Sequence, residues 1–214
     1  EKVIWPIICD ELEKREIDKE LVYLAHSFER VMPGIGYYDS LVNYWRGYAG
    51  RTSGAADVCE EFLSTLINVE QYPLKRLASM TASEATKVLE NSYRAVNIAF
   101  IDEWTKYSEL IGIDLYEIVD AVRVRATHSN IRSPGLGVGG YCLTKDPLFA
   151  PASLDGLFNI DGPEFIFSKL AMEVNQKMPL HAVERLSTLM NEELENKNIL
   201  IMGVSYKGDI GDSR

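Results

Sequence analysis

Ala82-Ser-Glu-Ala-Thr-Lys-Val-Leu-Glu-Asn-Ser-Tyr-Arg-Ala-Val-Asn-Ile-Ala-Phe-Ile-Asp-Glu-Trp-Thr-Lys-Tyr-Ser-Glu-Leu-Ile111 runs for 30 residues without glycine or proline. Apolar side chains recur at Val88, Tyr93, Val96, Ile98, Ala99 and Ile101, and continue through Trp104, Tyr107 and Leu110. That spacing predicts one long helix. Thr81-Ala-Ser-Glu84 reads as a capping box at its start, and Gly112 as the residue that stops it. At 1.5 Å per residue the helix spans about 45 Å, too long for a compact domain of this size to cover. The excess is expected to bury itself in a second subunit, giving a homodimer through helix 82–111.

The flanks follow from this centre. Asp114 caps a further helix, Leu115 to Val124. Another is expected from Pro163 to Met178, with Pro163 in its first turn. Pro179 is expected to interrupt it, with a fourth from Leu180 to Glu195. Toward the amino end a helix (Val3 to Arg15) precedes a strand (Glu20 to Ala25). Then come a strand near Tyr44 to Tyr48, a helix from Ser53 to Leu66, and an extended stretch from Asn68 to Pro73. This βα rhythm suggests part of a parallel sheet, without a glycine-rich phosphate turn before it. Asn198 to Gly203 reads as an apolar strand followed by a polar loop. The fold class expected is mixed: a mainly α central domain with a long dimerisation helix, flanked by partial α/β pieces. Glu1 opens almost directly on a helix and Arg214 closely follows a lone strand, so both ends read as cut.

Composition narrows the classes. Hydrophobic residues make up 46% and charged residues 25% of 214, as in ordinary globular chains. A net charge of −10 argues against a nucleic-acid surface. No apolar run approaches the roughly 18 residues of a membrane span, and no signal peptide is visible. Cys9, Cys59 and Cys142 are widely spaced and odd in number, which suits reduced thiols in the cytoplasm. No metal is expected.

The chemistry points to Gly137-Val-Gly-Gly-Tyr-Cys-Leu-Thr-Lys-Asp-Pro147. Glycines let the backbone come close to a ligand. Cys142 lies there with Lys145 and Asp146 three and four residues on. A thiol near an ammonium can act as a nucleophile, and the acid can orient a water or a proton. Gly135-Leu-Gly-Val-Gly-Gly140 also satisfies G-x-G-x-x-G. The residues before it are polar and end in Pro134, and Pro147 follows too soon for a helix, so a dinucleotide loop is not expected. On the long helix Glu84, Lys87 and Asn91 stand at i, i+3 and i+7 and share a face. That face is either solvated or aims the lysine and amide into a cleft.

Taken together, several segments resemble the UDP-glucose/GDP-mannose (nucleotide-sugar) dehydrogenase family. Ser27-Phe-Glu29-Arg-Val-Met-Pro-Gly34 resembles its S-P-E-R-V-x-P-G loop. Glu84-Ala-Thr-Lys87-Val-Leu-Glu-Asn91-Ser-Tyr93-Arg-Ala95 is similar to its A-E-x-x-K-x-x-x-N-x-[FY]-x-A helix. Gly137 to Asp146 is similar to its G-x-G-G-x-C-x-x-[KV]-D loop, and Asn198 to Arg214 to the start of its C-terminal domain. These motifs stand in family order over nearly the whole chain.

The resemblance implies that residues 1–75 are the end of an NAD-binding Rossmann domain whose glycine-rich loop is absent. It implies a central helical and dimerisation domain over 76–196, and the first strand and loop of a nucleotide-sugar-binding domain over 197–214. It implies oxidation of a nucleotide-sugar C6 alcohol to a uronate, with NAD as cofactor and a cysteine thioester on the way, for polysaccharide precursor synthesis. Cys142 would be the nucleophile. Lys87 and Asn91 would donate to the developing alkoxide, and Asp146 or Glu29 would handle the water or its proton. Gly139, Gly140, Lys145, Lys207 and Arg214 would bind substrate. NAD would be bound mainly outside this chain, which is expected to be inactive alone.

Three positions depart from the pattern. Phe28 replaces a proline, and Pro33 stands where some members carry a second glutamate. Tyr141 stands where the N-acetylhexosamine branch has histidine, whereas Lys145 is typical of the glucose and mannose branches, so the sugar stays open. Two alternatives remain: a single-oxidation, hydroxyacid-type dehydrogenase, and a helical dimerisation or interaction module. The cysteine loop argues against the first.

Overall fold

A computed structural model of the chain describes residues 1–191 and 193–213. It divides into two compact units. The first comprises Glu1–Val88, Ser153–Asp161 and Gly208–Ile210; the second comprises Leu89–Ala152, Gly162–Lys207 and Gly211–Arg214.

In the first unit, α1 (Ile4–Lys14) leads through a single 3-10 turn (Lys19–Leu21) to β1 (Ala25–Ser27). Then follow α2 (Tyr37–Val42), β2 (Gly47–Gly50), α3 (Ser53–Ser64) and β3 (Lys75–Arg76). The strand expected from Glu20 is a turn instead, because the Asp18 carboxylate accepts from the Glu20 amide (3.0 Å) and caps it. The sheet has three strands in the order β1-β2-β3 and is mixed, not parallel. β1 runs antiparallel to β2, with His26 opposite Ala49, and β3 runs parallel to β2, with Tyr48 opposite Arg76. Tyr48, Ala56 and Leu63 form the core, with Cys59 and Leu74 against it. The Tyr48 phenol donates to Glu60, and burial first, then that bond, push its pKa up to about 12. At Gly50 a Cβ would lie 2.2 Å from the Ala56 nitrogen, so only glycine lets α3 pack this close to β2.

The long helix is present as α4 (Met80–Ile111), 32 residues or about 48 Å. The boundary between the units falls within it. Its start differs from the expected capping box: Ser79 accepts from the Ala82 amide (3.1 Å) and caps the helix, while Thr81 lies inside it. Gly112, at φ 73°, ends it as the sequence requires.

In the second unit, Asp114 caps α5 (Leu115–Arg123), and Ile101, Leu115 and Val119 make a core with Ile118 and Ile131. A 3-10 turn (Asp146–Leu148) opens α6 (Phe149–Gly156). No helix forms between Gly140 and Lys145, and Pro147 stands in the first turn of the 3-10 segment, where a proline loses no helical bond.

The two helices expected on either side of Pro179 are one, α7 (Ile166–Leu189). Pro179 cannot donate to the Asn175 carbonyl four residues back. Gly137 packs on that same carbonyl: its Cβ would lie 2.5 Å from the Asn175 oxygen. Burial of Met172, Asn175 and Met178 holds the helix through the proline. The strand expected at Asn198–Gly203 does not form, and Leu200, Ile201 and Met202 are exposed. Among the described residues no strand lies beside that segment, and an unpaired strand is not stable.

Candidate active site

The expected site residues fall into two groups, one in each unit. In the first unit the loop after β1 carries Glu29. The Lys87 ammonium donates to the Glu29 backbone carbonyl (2.7 Å) and stands 3.4 Å from its carboxylate. That carboxylate accepts from the Val31 amide, which fixes the turn. Phe28, in place of a proline, is buried against Gly47, with the Arg30 guanidinium 5.0 Å from its ring centre. At the base of the loop His26 bonds the Ser83 hydroxyl (2.9 Å), and burial lowers its pKa, against the opposing charge of Glu84. Lys87 and Glu29 are thus brought together as an ion pair.

In the second unit the cysteine loop closes on itself. The amides of Lys145 and Asp146 both donate to the Cys142 carbonyl (3.1 and 2.9 Å), and the Thr144 hydroxyl donates to the Gly140 carbonyl (3.0 Å). This turn leaves Cys142 exposed as a free thiol. Gly140 adopts φ 81°, and the Tyr206 ring lies 3.2 Å from where a Cβ would be, so its missing side chain is used twice. Gly139 beside it is half-buried and Lys207 is exposed. Arg214 lies outside the described residues.

Behind the thiol is a chain of charge-assisted bonds. Asn91 on α4 is 4% exposed, and its amide donates to Asp146 Oδ2 (2.7 Å). Asp146 Oδ1 accepts from the Lys145 ammonium (2.6 Å). The bond to Asp146 is the main cause that raises the Lys145 pKa, against the opposing effect of burial; the charges of Asp146, Tyr141 and Cys142 add to it. The ammonium also lies 4.2 Å from the Tyr141 ring centre and 4.7 Å from that of Phe149.

Sequence reasoning placed Cys142, Lys145 and Asp146 on one loop but missed the Asn91–Asp146 bond, because 55 residues separate the partners. It also missed Phe149 and Tyr206. Phe149 follows the loop motif too closely to look like part of it, and Tyr206 could have been noticed only as the aromatic neighbour of Lys207.

An exposed thiol beside a fixed cation and a buried carboxylate suits nucleophilic addition with managed proton transfer. Among the described residues no three His, Cys, Asp or Glu side chains are grouped to hold a metal. The backbone from Gly135 to Gly140 has no strand before it and no helix within it. These glycines therefore do not form a dinucleotide phosphate loop, and no NAD contact is assigned to them. A separate cleft of about 490 Å³ in the second unit, lined by Thr105, Tyr116, Met178, His181 and Arg185 among others, holds none of the candidate residues. No helix among the described residues is long and apolar enough to cross a membrane.

Residues 81–177 match the model of the UDP-glucose/GDP-mannose dehydrogenase family, central domain. The chain is 32% identical over its whole length to a UDP-N-acetyl-D-mannosamine dehydrogenase of Methanocaldococcus jannaschii, of which it covers 46%. A solved UDP-D-ManNAc dehydrogenase of Pyrococcus horikoshii superposes with a TM-score of 0.73 at 31% identity, over 90% of this chain and 44% of that one. The native UDP-N-acetyl-mannosamine dehydrogenase of Staphylococcus aureus gives 0.75 at 27%, over 100% and 46%. The chain thus spans about half the length of the curated relatives it matches.

Proposed function

We propose, from the match of residues 81–177 to the central domain of the UDP-glucose/GDP-mannose dehydrogenase family, that the protein carrying this chain oxidises the C6 alcohol of a nucleotide sugar twice, to a carboxylate, through a thioester on Cys142. The observation that carries this reading is the exposed Cys142 thiol on a turn fixed to Lys145 and Asp146, with Asp146 bonded to buried Asn91. The names of the relatives favour UDP-N-acetyl-D-mannosamine as the first sugar to test.

The first oxidation yields an aldehyde at C6. The Cys142 sulfur bonds to that carbon, the carbonyl π pair moves to oxygen, and the thiol proton ends on that oxygen as a thiohemiacetal. Loss of a second hydride from C6, together with the hydroxyl proton, leaves the thioester. Water adds to its carbonyl, the carbon–sulfur bond breaks, the thiol regains a proton and the carboxylate departs. Lys87 and Asn91 donate to the oxygen as it gains charge, and Asp146 or Glu29 relays the proton of the attacking water. Gly139 and Gly140 let the loop approach the sugar. Lys145, Lys207 and Arg214 offer cations to the substrate's anionic part. The hydride acceptor in this reading is NAD.

The test is NADH formation by the complete protein with UDP-N-acetyl-D-mannosamine, UDP-N-acetyl-D-glucosamine, UDP-glucose and GDP-mannose. Two NADH per sugar are expected from the wild type, and no uronate from Cys142→Ser. One NADH per sugar with Cys142→Ser fully active would support a single-oxidation dehydrogenase instead. No turnover of any sugar would favour the helical interaction module.

A further inference from the structure

The proposed reaction gives Cys142, Asp146 and Asn91 roles, but it leaves unexplained the two aromatic rings around Lys145. Tyr141 precedes the cysteine, and Phe149 opens α6. Neither ring is buried in a core: Tyr141 is 61% and Phe149 46% exposed. Yet both have their ring centres within 5 Å of one ammonium, at 4.2 and 4.7 Å, well inside the roughly 6 Å reach of a cation–π contact. The third neighbour of that ammonium is Asp146 Oδ1, at 2.6 Å. A flexible four-carbon lysine has many rotamers, and here one position is held by contacts from three directions.

We propose that Tyr141 and Phe149 are positioning residues, a two-ring cage that fixes the Lys145 ammonium against Asp146 and, through Asp146, fixes the amide of Asn91. This rests on the proposed function for its catalytic meaning, but the cage itself does not depend on it. With the ammonium held on Oδ1, the Asp146 carboxylate cannot rotate freely, and Oδ2 stays on Asn91 at 2.7 Å. The rings thus set the direction of an amide that would donate to substrate oxygen. They do so from positions one residue before the nucleophile and seven after it.

Two measurements test this. The first reads Lys145 directly: the rate of its acylation by acetic anhydride, resolved by peptide mass spectrometry against Lys14 in the same sample. Ring faces stabilise the charged form, so Tyr141→Leu and Phe149→Leu should each speed Lys145 acylation about two- to tenfold, the scale of one such contact. Tyr141→Phe and Phe149→Tyr, which restore a face, should return it toward the wild-type rate. Leucine variants that label like the wild type overturn the proposal, as does failure of the ring-restoring variants to reverse the change.

The second uses turnover in the complete protein. Each leucine variant should lower kcat by a similar factor in the wild-type background and have no further effect beside Lys145→Met. Independent, multiplicative effects in that cycle would overturn the positioning role. Faster labelling of the leucine variants, in a protein whose wild type oxidises no nucleotide sugar, would instead remove the proposed function and leave the cage standing.

Discussion

Asn91 and Asp146 show what one pair of residues can decide. Both are almost fully buried, and each satisfies the other. Asn91→Leu keeps the volume but removes the donor, leaving Asp146 Oδ2 buried without it. Unfolding in urea should show a loss of about 1–3 kcal/mol, the usual cost of an unsatisfied buried polar group. An unchanged midpoint and slope would mean that water takes the place of the amide. Lys87 is a different case. It is paired with Glu29 at a partly exposed position, so Lys87→Ala should cost little stability. If it donates to the reacting oxygen, the same variant should lower kcat by about 10²–10³ and change KM less. A kcat within twofold of wild type would reduce Lys87 to an anchor for the Glu29 loop.

At the scale of elements, α7 survives a proline because another element occupies the gap. The Asn175 carbonyl that Pro179 cannot serve faces Gly137, which sits at φ 88°. Gly137→Ala combines a left-handed backbone with a Cβ 2.5 Å from a carbonyl oxygen. It should destabilise by about 2–4 kcal/mol, read as a fall in Tm. A Tm within a degree of wild type would show that loop and helix separate at little cost.

Asp102 on α4 gives the same element a pH dependence. It is 1% exposed, its Oδ2 has no hydrogen-bond partner among the described residues, and burial raises its pKa from 3.8 to about 6. Lys106 on α4 and His181 on α7 oppose that rise. The folded state therefore keeps a proton that the unfolded chain has lost. The stability this contributes is complete below about pH 4 and is lost as pH rises through 6. Asp102→Asn should flatten that part of the stability profile and be the more stable protein at pH 7 to 8, by about 1–3 kcal/mol. A variant less stable than wild type at pH 8 would show that the charged carboxylate has a partner after all.

For the whole molecule, the exposed face of α4 is the main unsettled account. Phe100, Trp104 and Tyr107 follow one another along it, the first pair of rings tilted and the second edge-to-face, and Leu110 is 86% exposed. A helix leaving this much apolar surface uncovered is expected to meet a second copy, the homodimer proposed from its length. Light scattering at tens of micromolar should give about twice 24.1 kDa for this chain. Trp104→Glu with Leu110→Glu should give the monomer mass. A wild type that is already monomeric at that concentration removes the proposal.

Local signals in the sequence determined the long helix, its stop at Gly112, the Asp114 cap and the loop that presents Cys142 between glycines and a Lys–Asp pair. Each depends on residues within a turn or two of one another, where periodicity and backbone preference act directly. Contacts between distant segments were decided only by tertiary structure. The mixed sheet depends on which strands meet, the unbroken α7 on burial around a proline, and the failed strand at Asn198 on there being no strand beside it among the described residues. The Asn91–Asp146 bond joins residues 55 apart, and the cage around Lys145 needs α6 to begin where it does. Sequence pattern records what a segment can do alone, and these features record which other segment is there to satisfy it.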